Sequence, residues 1–346
     1  MPRIFLHADW SQLESWLTAY FSGDATLTAE LQAQLEGGHK VHALNAALLY
    51  GCEPEEAMSF PIILGGRPDV AYNGGKRVSH AWNYGMEASY MASTFWIAKR
   101  KAEEMFERLN AKYKDVVAWR ERMADEVFGV QKFVCNGCQE VRFNEGGKCN
   151  RCSTAGYVVS YVWSGYETFP SREMRTPFGR RRLYMGLRNK GKKALAAQLP
   201  QSCGASMWYR TLQRLNGFEV VKGEVRNWTT PNADYAVRTG TYDSFLIECD
   251  EEEMISQWIA HWLAWTMEQS WPQLAGWRFP CEMEVGHNWG KYDEAVNPQG
   301  LKEIEHVPFQ GSEWSEGRRA SQGVVLSSVS AADAGGELQR GGETER

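Results

Sequence analysis

The stretch that most constrains this chain is its start. An apolar run, Ile4-Phe5-Leu6-His7-Ala8, gives way within a few residues to the helical spacing of Leu13, Trp16, Leu17, Tyr20 and Phe21. The first run suits a short strand, and the later positions share one face of a helix. Asp9 stands at the break. A carboxylate at the end of a strand is fixed by the backbone and faces the edge where sheet folds often bind ligands. Helix-start chemistry is the plainer alternative: Ser11 followed three residues later by Glu14 is a capping box, with Asp9 a turn residue. The residues farther along weigh against that alternative.

After a break at Gly23-Asp24, residues 42–50 read as an amphipathic helix closed by Gly51. Residues 59–72 are rich in Gly and Pro and read as a loop. Gly74-Gly75 then opens a longer helix from Lys76 to about Lys101, followed by a charged helical stretch through Met123. Lys76, His80 and Tyr84 lie at i, i+4 and i+8, a total rotation of about 80°, so they share one face. That face offers a cation, an imidazole and a phenol in a row, an order suited to the phosphates, sugar and base of a nucleoside triphosphate. A solvated basic helix with one half-buried tyrosine is the plainer alternative.

Cys135-Asn136-Gly137-Cys138 and Cys149-Asn150-Arg151-Cys152 form a CxxC…CxxC pair with a short polar spacer. Four thiolates at this spacing make a closed tetrahedral zinc site, structural because no position is left for water. A redox pair is the competing reading. Cys52, Cys203, Cys249 and Cys281 are scattered and read as core thiols.

A formal charge of −5 excludes a chain that is basic throughout, so any nucleic-acid contact must come from local patches. The densest patch follows a hairpin over residues 174–184 with Pro177 and Gly179 in its turn. It comprises Arg180, Arg181, Arg182, Arg188, Lys190, Lys192 and Lys193, and it suits phosphate backbone contacts or a solvated surface. Residues 157–163 read as a strand, 201–215 as a helix, and 241–248 as a strand interrupted by Asp243. A carboxylate inside such a run is costly to bury unless it binds something. With neither a signal peptide nor a membrane-spanning run in the sequence, the expectation is a soluble cytoplasmic protein with reduced cysteines.

These pieces, in this order, resemble the C-terminal palm and fingers part of family A DNA polymerases, the DNA polymerase I class. Asp9-Trp10-Ser11-Gln12-Leu13-Glu14, with Ala19 and Asp24 behind it, resembles the first palm motif, Asp-Tyr-Ser-Gln-Ile-Glu. Lys76-x3-His80-x3-Tyr84-Gly85 resembles the fingers motif, Arg-x3-Lys-x3-Phe/Tyr-x3-Tyr-Gly. Tyr242-Asp243-Ser244 stands where the family has His-Asp-Glu. His42, the Thr176–Arg182 hairpin, Gln201 and Glu284-Val285-Gly286-His287-Asn288-Trp289 match smaller segments. The resemblance covers roughly residues 3 to 295.

The resemblance implies an α+β fold with an antiparallel palm sheet and helical fingers, here with an inserted zinc ribbon. The expected boundaries are palm over 1–25, fingers over 26–130, zinc ribbon over 131–160, palm again over 161–296, and a disordered Gly/Ser/Glu-rich tail over 297–346. It implies two Mg²⁺ ions on Asp9 and Asp243, with structural Zn²⁺ on the four cysteines. Glu14 is the implied steric gate against ribose, Lys76 the group on the triphosphate, His80 the neighbour of the incoming sugar and Tyr84 that of the nascent base pair. Gln12 joins the substrate contacts, while Arg180, Arg181, Arg182, Lys193 and Gln201 lie along primer-template DNA.

The implied activity is template-directed transfer of a nucleotide from a dNTP to a primer 3′-hydroxyl, in a phage-like replication setting within a bacterial or phage-infected cytoplasm. The thumb and exonuclease that accompany these motifs in the family fall outside the sequence, and three readings stay open: the C-terminal piece of a split polymerase with an N-terminal partner subunit, a truncated gene, or a reduced version whose zinc element substitutes for some of the lost grip. Tyr72 stands in the place of the fingers Arg, His80 of an aromatic ring, Ser244 of a Glu and Lys40 of an acid. A catalytically inert zinc-containing nucleic-acid-binding remnant is the main alternative. A single-subunit RNA polymerase relative is a third, which Glu14 opposes.

Overall fold

A computed structural model describes residues 3–128, 130–135, 141–142, 157–162, 172–184, 188–221, 223–252 and 259–304. The chain divides into two compact units, one of Met1–Leu13 with Ala205–Arg346 and the other of Glu14–Gly204. The opening strand, β1 (Arg3–Trp10), runs past the expected break and includes Asp9. Its residues alternate between half-buried and buried, as a strand with one covered face requires. Gln12 adopts a left-handed φ of 53° and turns the chain into α1 (Leu13–Ser22).

The second unit is mainly helical. Asp24 caps α2 (Ala25–Leu35) by accepting from the Leu27 N–H at 2.9 Å. As expected, α3 (Val41–Tyr50) ends at Gly51, whose φ is 73°. The segment read as a loop is instead a hairpin, β2 (Pro61–Leu64) and β3 (Arg67–Val70). Gly65 and Gly66 both have positive φ, the requirement of a two-residue hairpin turn. The next helix, α4 (Ala71–Asn83), starts before the glycine pair instead of at Lys76. It stops at Tyr84-Gly85, so the single helix expected to Lys101 is broken into α4, α5 (Ala88–Phe95) and α6 (Lys99–Lys112), with α7 (Lys114–Phe128) following. Val78, Met91, Leu109 and Val116 from these four helices are fully buried.

Beyond α7, β4 (Val130–Cys135), β5 (Val141–Arg142) and β6 (Tyr157–Val162) form a small antiparallel sheet with β4 central. Cys138, Cys149 and Cys152 lie outside the described residues, as does the side chain of Cys135, so the expected zinc ribbon does too. The hairpin of β7 (Glu173–Arg175) and β8 (Arg181–Leu183) forms as expected, closed by a Thr176 N–H to Arg180 carbonyl bond of 2.9 Å. The next helix, α8 (Arg188–Leu215), begins well before Gln201 and carries Lys192 on its early turns.

The rest of the first unit follows. A hairpin of β9 (Phe218–Val221) and β10 (Glu224–Asn227) leads to β11 (Tyr235–Thr241), β12 (Ser244–Asp250), α9 (Ile259–Met267), β13 (Cys281–Gly286) and β14 (Lys302–Ile304). The strands form a five-stranded antiparallel sheet in the order β11-β12-β1-β13-β14. One face is apolar: Leu6 and Ala8 of β1, Phe245 and Ile247 of β12, and Met283 of β13 are fully buried, as are Ile259, Leu263 and Met267 of α9. The Trp10 indole N–H donates to the Met267 carbonyl at 3.1 Å. Asp243 falls in the turn between β11 and β12, not inside a strand, so the expected burial cost does not arise. Lys302–Ile304 pairs with β13, so ordered structure extends past Asn297, where the disordered tail was expected to begin; residues 305–346 lie outside the described set.

Gly75 sets how closely α3 and α4 approach. A Cβ there would stand 2.8 Å from the Ala46 backbone nitrogen, an atom that cannot yield without moving a helix. Gly75→Ala should therefore cost about 1–3 kcal/mol, the usual scale of overpacking. Urea unfolding should show a lowered midpoint with an unchanged slope.

Candidate active site

Two clusters of polar residues stand out, one in each unit. In the first unit, register determines which side chains meet. Asp9 lies opposite Ser244 on β12 and Glu282 on β13, while His7 lies opposite Leu246 and Glu284. Directly paired residues share a face, so Asp9, Glu282, His7 and Glu284 line the face away from Trp10 and Ala8. Asp243 is brought to the same end of the sheet, with the Trp10 N–H donating to its carbonyl at 3.0 Å.

Glu282 accepts from the Ser11 hydroxyl at 2.8 Å, a partner outside the expected capping box. His7 Nδ1 meets Glu284 Oε2 at 2.9 Å. That bond, above all, raises the His7 pKa, with the Asp9 and Asp243 charges adding to it. Both aspartates are thus near enough to act on one imidazole.

Among the described residues, no group of three or more His, Cys, Asp or Glu side chains is placed to hold a metal ion. The aspartates instead offer a half-buried pair of oxygen donors at a sheet end. This chemistry fits Mg²⁺, which is commonly held by one or two carboxylates while water and substrate phosphates complete its shell.

In the second unit, the Tyr84 hydroxyl donates to Glu14 Oε2, and His80 Nδ1 lies 3.8 Å from the same oxygen. Burial, helped by the Lys76 charge, lowers the His80 pKa below its usual value. At neutral pH the His80–Glu14 contact is therefore polar and not ionic. The Tyr84 ring lies 6.1 Å from His80, and the buried His42 ring 5.3 Å from His80 on its own side. Lys76 is exposed, so the expected row of Lys76, His80 and Tyr84 forms, and Glu14 joins it.

Tyr72 packs edge-on to His42 at 6.2 Å. Arg77, next to Lys76 on α4, lies 3.5 Å from Asp69. Arg180, Arg181 and Arg182 are exposed on the β7–β8 hairpin; Arg181 pairs with Glu173 at 2.6 Å and Arg182 lies over the Tyr184 ring at 5.2 Å. Gln12 and Gln201 are half-buried. The Lys193 side chain lies outside the described residues.

Glu282 is the site residue that the motifs do not announce. Its signal is faint: Glu282 and Glu284 alternate with apolar neighbours over residues 281–285, the pattern of a strand with one polar face.

The first unit thus carries an antiparallel sheet with Asp9 and Asp243 at one end, and the same chain carries a mainly helical unit. Residues 2–135 match the family model of DNA polymerase family A, which bears out the resemblance read from the motifs over this segment. A thermostable DNA polymerase I of Thermus filiformis is 28% identical over 148 residues, which is 40% of this chain and 16% of that protein. The fold is similar to the POL domain of Pol1 from M. smegmatis in complex with DNA primer-template and dNTP, with a TM-score of 0.53 and 16% identity over 82% of this chain and 39% of that one. The chain thus spans a minor part of each relative's length. No helix among the described residues is long and apolar enough to cross a membrane.

His42 gives this region a pH signature. It is 5% exposed, its Nδ1 has no hydrogen-bond partner among the described residues, and burial pushes its pKa down to about 3. Below the ordinary pKa of about 6.5 the unfolded chain takes up a proton that the folded chain refuses, so stability falls as pH falls towards 3. Between pH 7 and pH 5 the loss from this group should be about 2 kcal/mol. His42→Leu should remove that component, visible as a flatter dependence of the urea midpoint on pH.

Proposed function

We propose that this chain is the catalytic piece of a template-directed DNA polymerase that transfers nucleotides from dNTPs to a primer 3′-hydroxyl. The observation that carries this reading is the placement of Asp9 near the end of β1 beside Asp243 in the β11–β12 turn of one antiparallel sheet, in a chain whose segment 2–135 matches the family A model. The two aspartates would hold Mg²⁺, which when bound lowers the pKa of the primer hydroxyl and offsets charge on the triphosphate. Glu14, fixed by the Tyr84 hydroxyl, occupies the place of a ribose 2′-OH and selects deoxynucleotides. Lys76, exposed on α4, pairs with the triphosphate, and Tyr84 offers a flat face to the nascent base pair. His80, neutral at pH 7, keeps a planar neighbour for the sugar without drawing Glu14 into an ion pair. The exposed arginines of the β7–β8 hairpin meet the DNA backbone.

Primer extension with Mg²⁺ and dNTPs tests this reading. The wild type should extend a labelled primer in a template-dependent way, Asp9→Ala and Asp243→Ala should lose at least about 1,000-fold while remaining folded, and Glu14→Ala should admit ribonucleotides. Activity surviving in either aspartate variant would remove the two-carboxylate assignment. A folded wild type that binds primer-template but never extends it would favour the inert remnant.

The CxxC pairs at Cys135/Cys138 and Cys149/Cys152 support a structural zinc site in the same chain. Purified chain should hold about one zinc equivalent, lost when all four cysteines become serine.

A further inference from the structure

In the helical unit, the turn of the β2–β3 hairpin is joined to the end of α5. The Gly65 N–H donates to the Phe95 carbonyl at 2.9 Å, and Gly66 lies against the Trp96 ring, where an added Cβ would come within 2.8 Å of a ring carbon. Glycine at 66 therefore lets the indole sit on the turn. Trp96 closes α5 in a left-handed conformation, with φ 54° and ψ 43°, and its N–H donates to the Ala92 carbonyl. The Ile97 N–H reaches the same carbonyl at 3.1 Å. This cap usually takes glycine, because a side chain in the left-handed region strains the backbone. Tryptophan occupies it at a cost in stability.

Burial does not recover that cost. Trp96 is 76% exposed, so part of the ring rests on Gly66 and most of it stands in solvent. Cations follow both contacts along the chain. Arg67 comes directly after Gly66, and Lys99, Arg100 and Lys101 open α6 three residues after Trp96; all four are exposed. Lys99 lies 3.5 Å from Glu103 and Arg100 3.0 Å from Glu104, surface pairs one helical turn apart that contribute little. Cations in the first turn of a helix oppose its dipole, so helix stability does not account for the run. A ring held at a strained position with its surface in water, among cations, suits a partner that is both flat and anionic.

We propose that Trp96, with Arg67 and Lys99-Arg100-Lys101, is a platform for single-stranded DNA: one base stacks on the indole, and the cations meet the phosphates beside it. Stacking tolerates any base, since each has a π face, and the cations follow the backbone without reading sequence. The inference rests on the polymerase reading only for the choice of DNA as the strand. Beyond that reading, it gives the helical unit its own contact with an unpaired strand.

The test uses the full chain without Mg²⁺ or dNTP, so that extension plays no part. A labelled dodecathymidylate is titrated by anisotropy against the wild type and Trp96→Gly. Glycine suits the left-handed position, so the variant should keep its fold, with a urea midpoint equal to or above that of the wild type. It should bind the strand about tenfold more weakly, the scale of one base–aromatic stack. Lys99→Gln/Lys101→Gln should make the fall of affinity with salt less steep. With 5-iododeoxyuridine in the strand, light should crosslink the wild type at Trp96. Undiminished binding by Trp96→Gly, or no crosslink at Trp96, overturns the proposal. A lowered urea midpoint with binding intact also overturns it and makes the indole a structural pin. A wild type that binds no strand overturns it as well, and dimerisation lost in Trp96→Gly would then make the face a contact between copies. Loss of primer extension with strand binding intact would instead count against the polymerase reading alone.

Discussion

The register of β1 between β12 and β13 is the constraint on which the first unit depends. Side chains alternate with a period of two, so a slip of one residue against either neighbour would turn Asp9 into the core and bring Ala8 out. The apolar set prevents the slip. Leu6, Ala8 and Trp10 meet Ile247, Phe245, Met283 and Cys281 on the covered face, and Trp10 adds a hydrogen bond to α9. Hydrophobic burial thereby positions the carboxylates: the chemistry on the open face inherits its geometry from packing on the closed one.

A comparable division holds in the second unit. Asn45 on α3 donates to Ser79 on α4 at 2.9 Å and accepts from Lys112 at 2.8 Å, while Gly75 brings the two helices together. These buried contacts fix the turn of α4, and the turn of α4 decides that His80 and Tyr84 face Glu14. The short polar spacing of Lys76, His80 and Tyr84 along the sequence becomes a site because Gly75 and Ser79, on the adjoining face of the helix, are tightly held.

What the sequence makes legible follows from how local the determinants are. The Lys76-His80-Tyr84 row, the Gly51 helix stop and the β7–β8 hairpin are set within a few residues, and all are found as expected. The β2–β3 hairpin is missed because Gly65-Gly66 reads equally well as loop or hairpin turn until pairing is seen. The α4–α6 breaks are missed because Gly85 and Trp96 in left-handed conformations interrupt otherwise helical spacing. The turn position of Asp243 is local, between paired Thr241 and Ser244, but the apolar run that follows it reads as one strand. Glu282 depends on long-range strand pairing: a motif search reads residues along the chain, whereas this one is defined across it.

The same pairing has a kinetic side. Asp9 belongs to the first strand, yet its neighbours, Ser244 and Glu282, come from near the other end of the described sequence. During synthesis β1 is made long before β12 or β13, so it cannot take its place between them until those distant segments have followed. Sheets built from such distant segments close slowly, and their unpaired edges invite aggregation while they wait. The helical unit, whose contacts are mostly between sequence neighbours, has no such delay. Assembly of the acidic pair is therefore a late event in folding, and an incomplete chain would hold Asp9 without the partner that gives it a purpose.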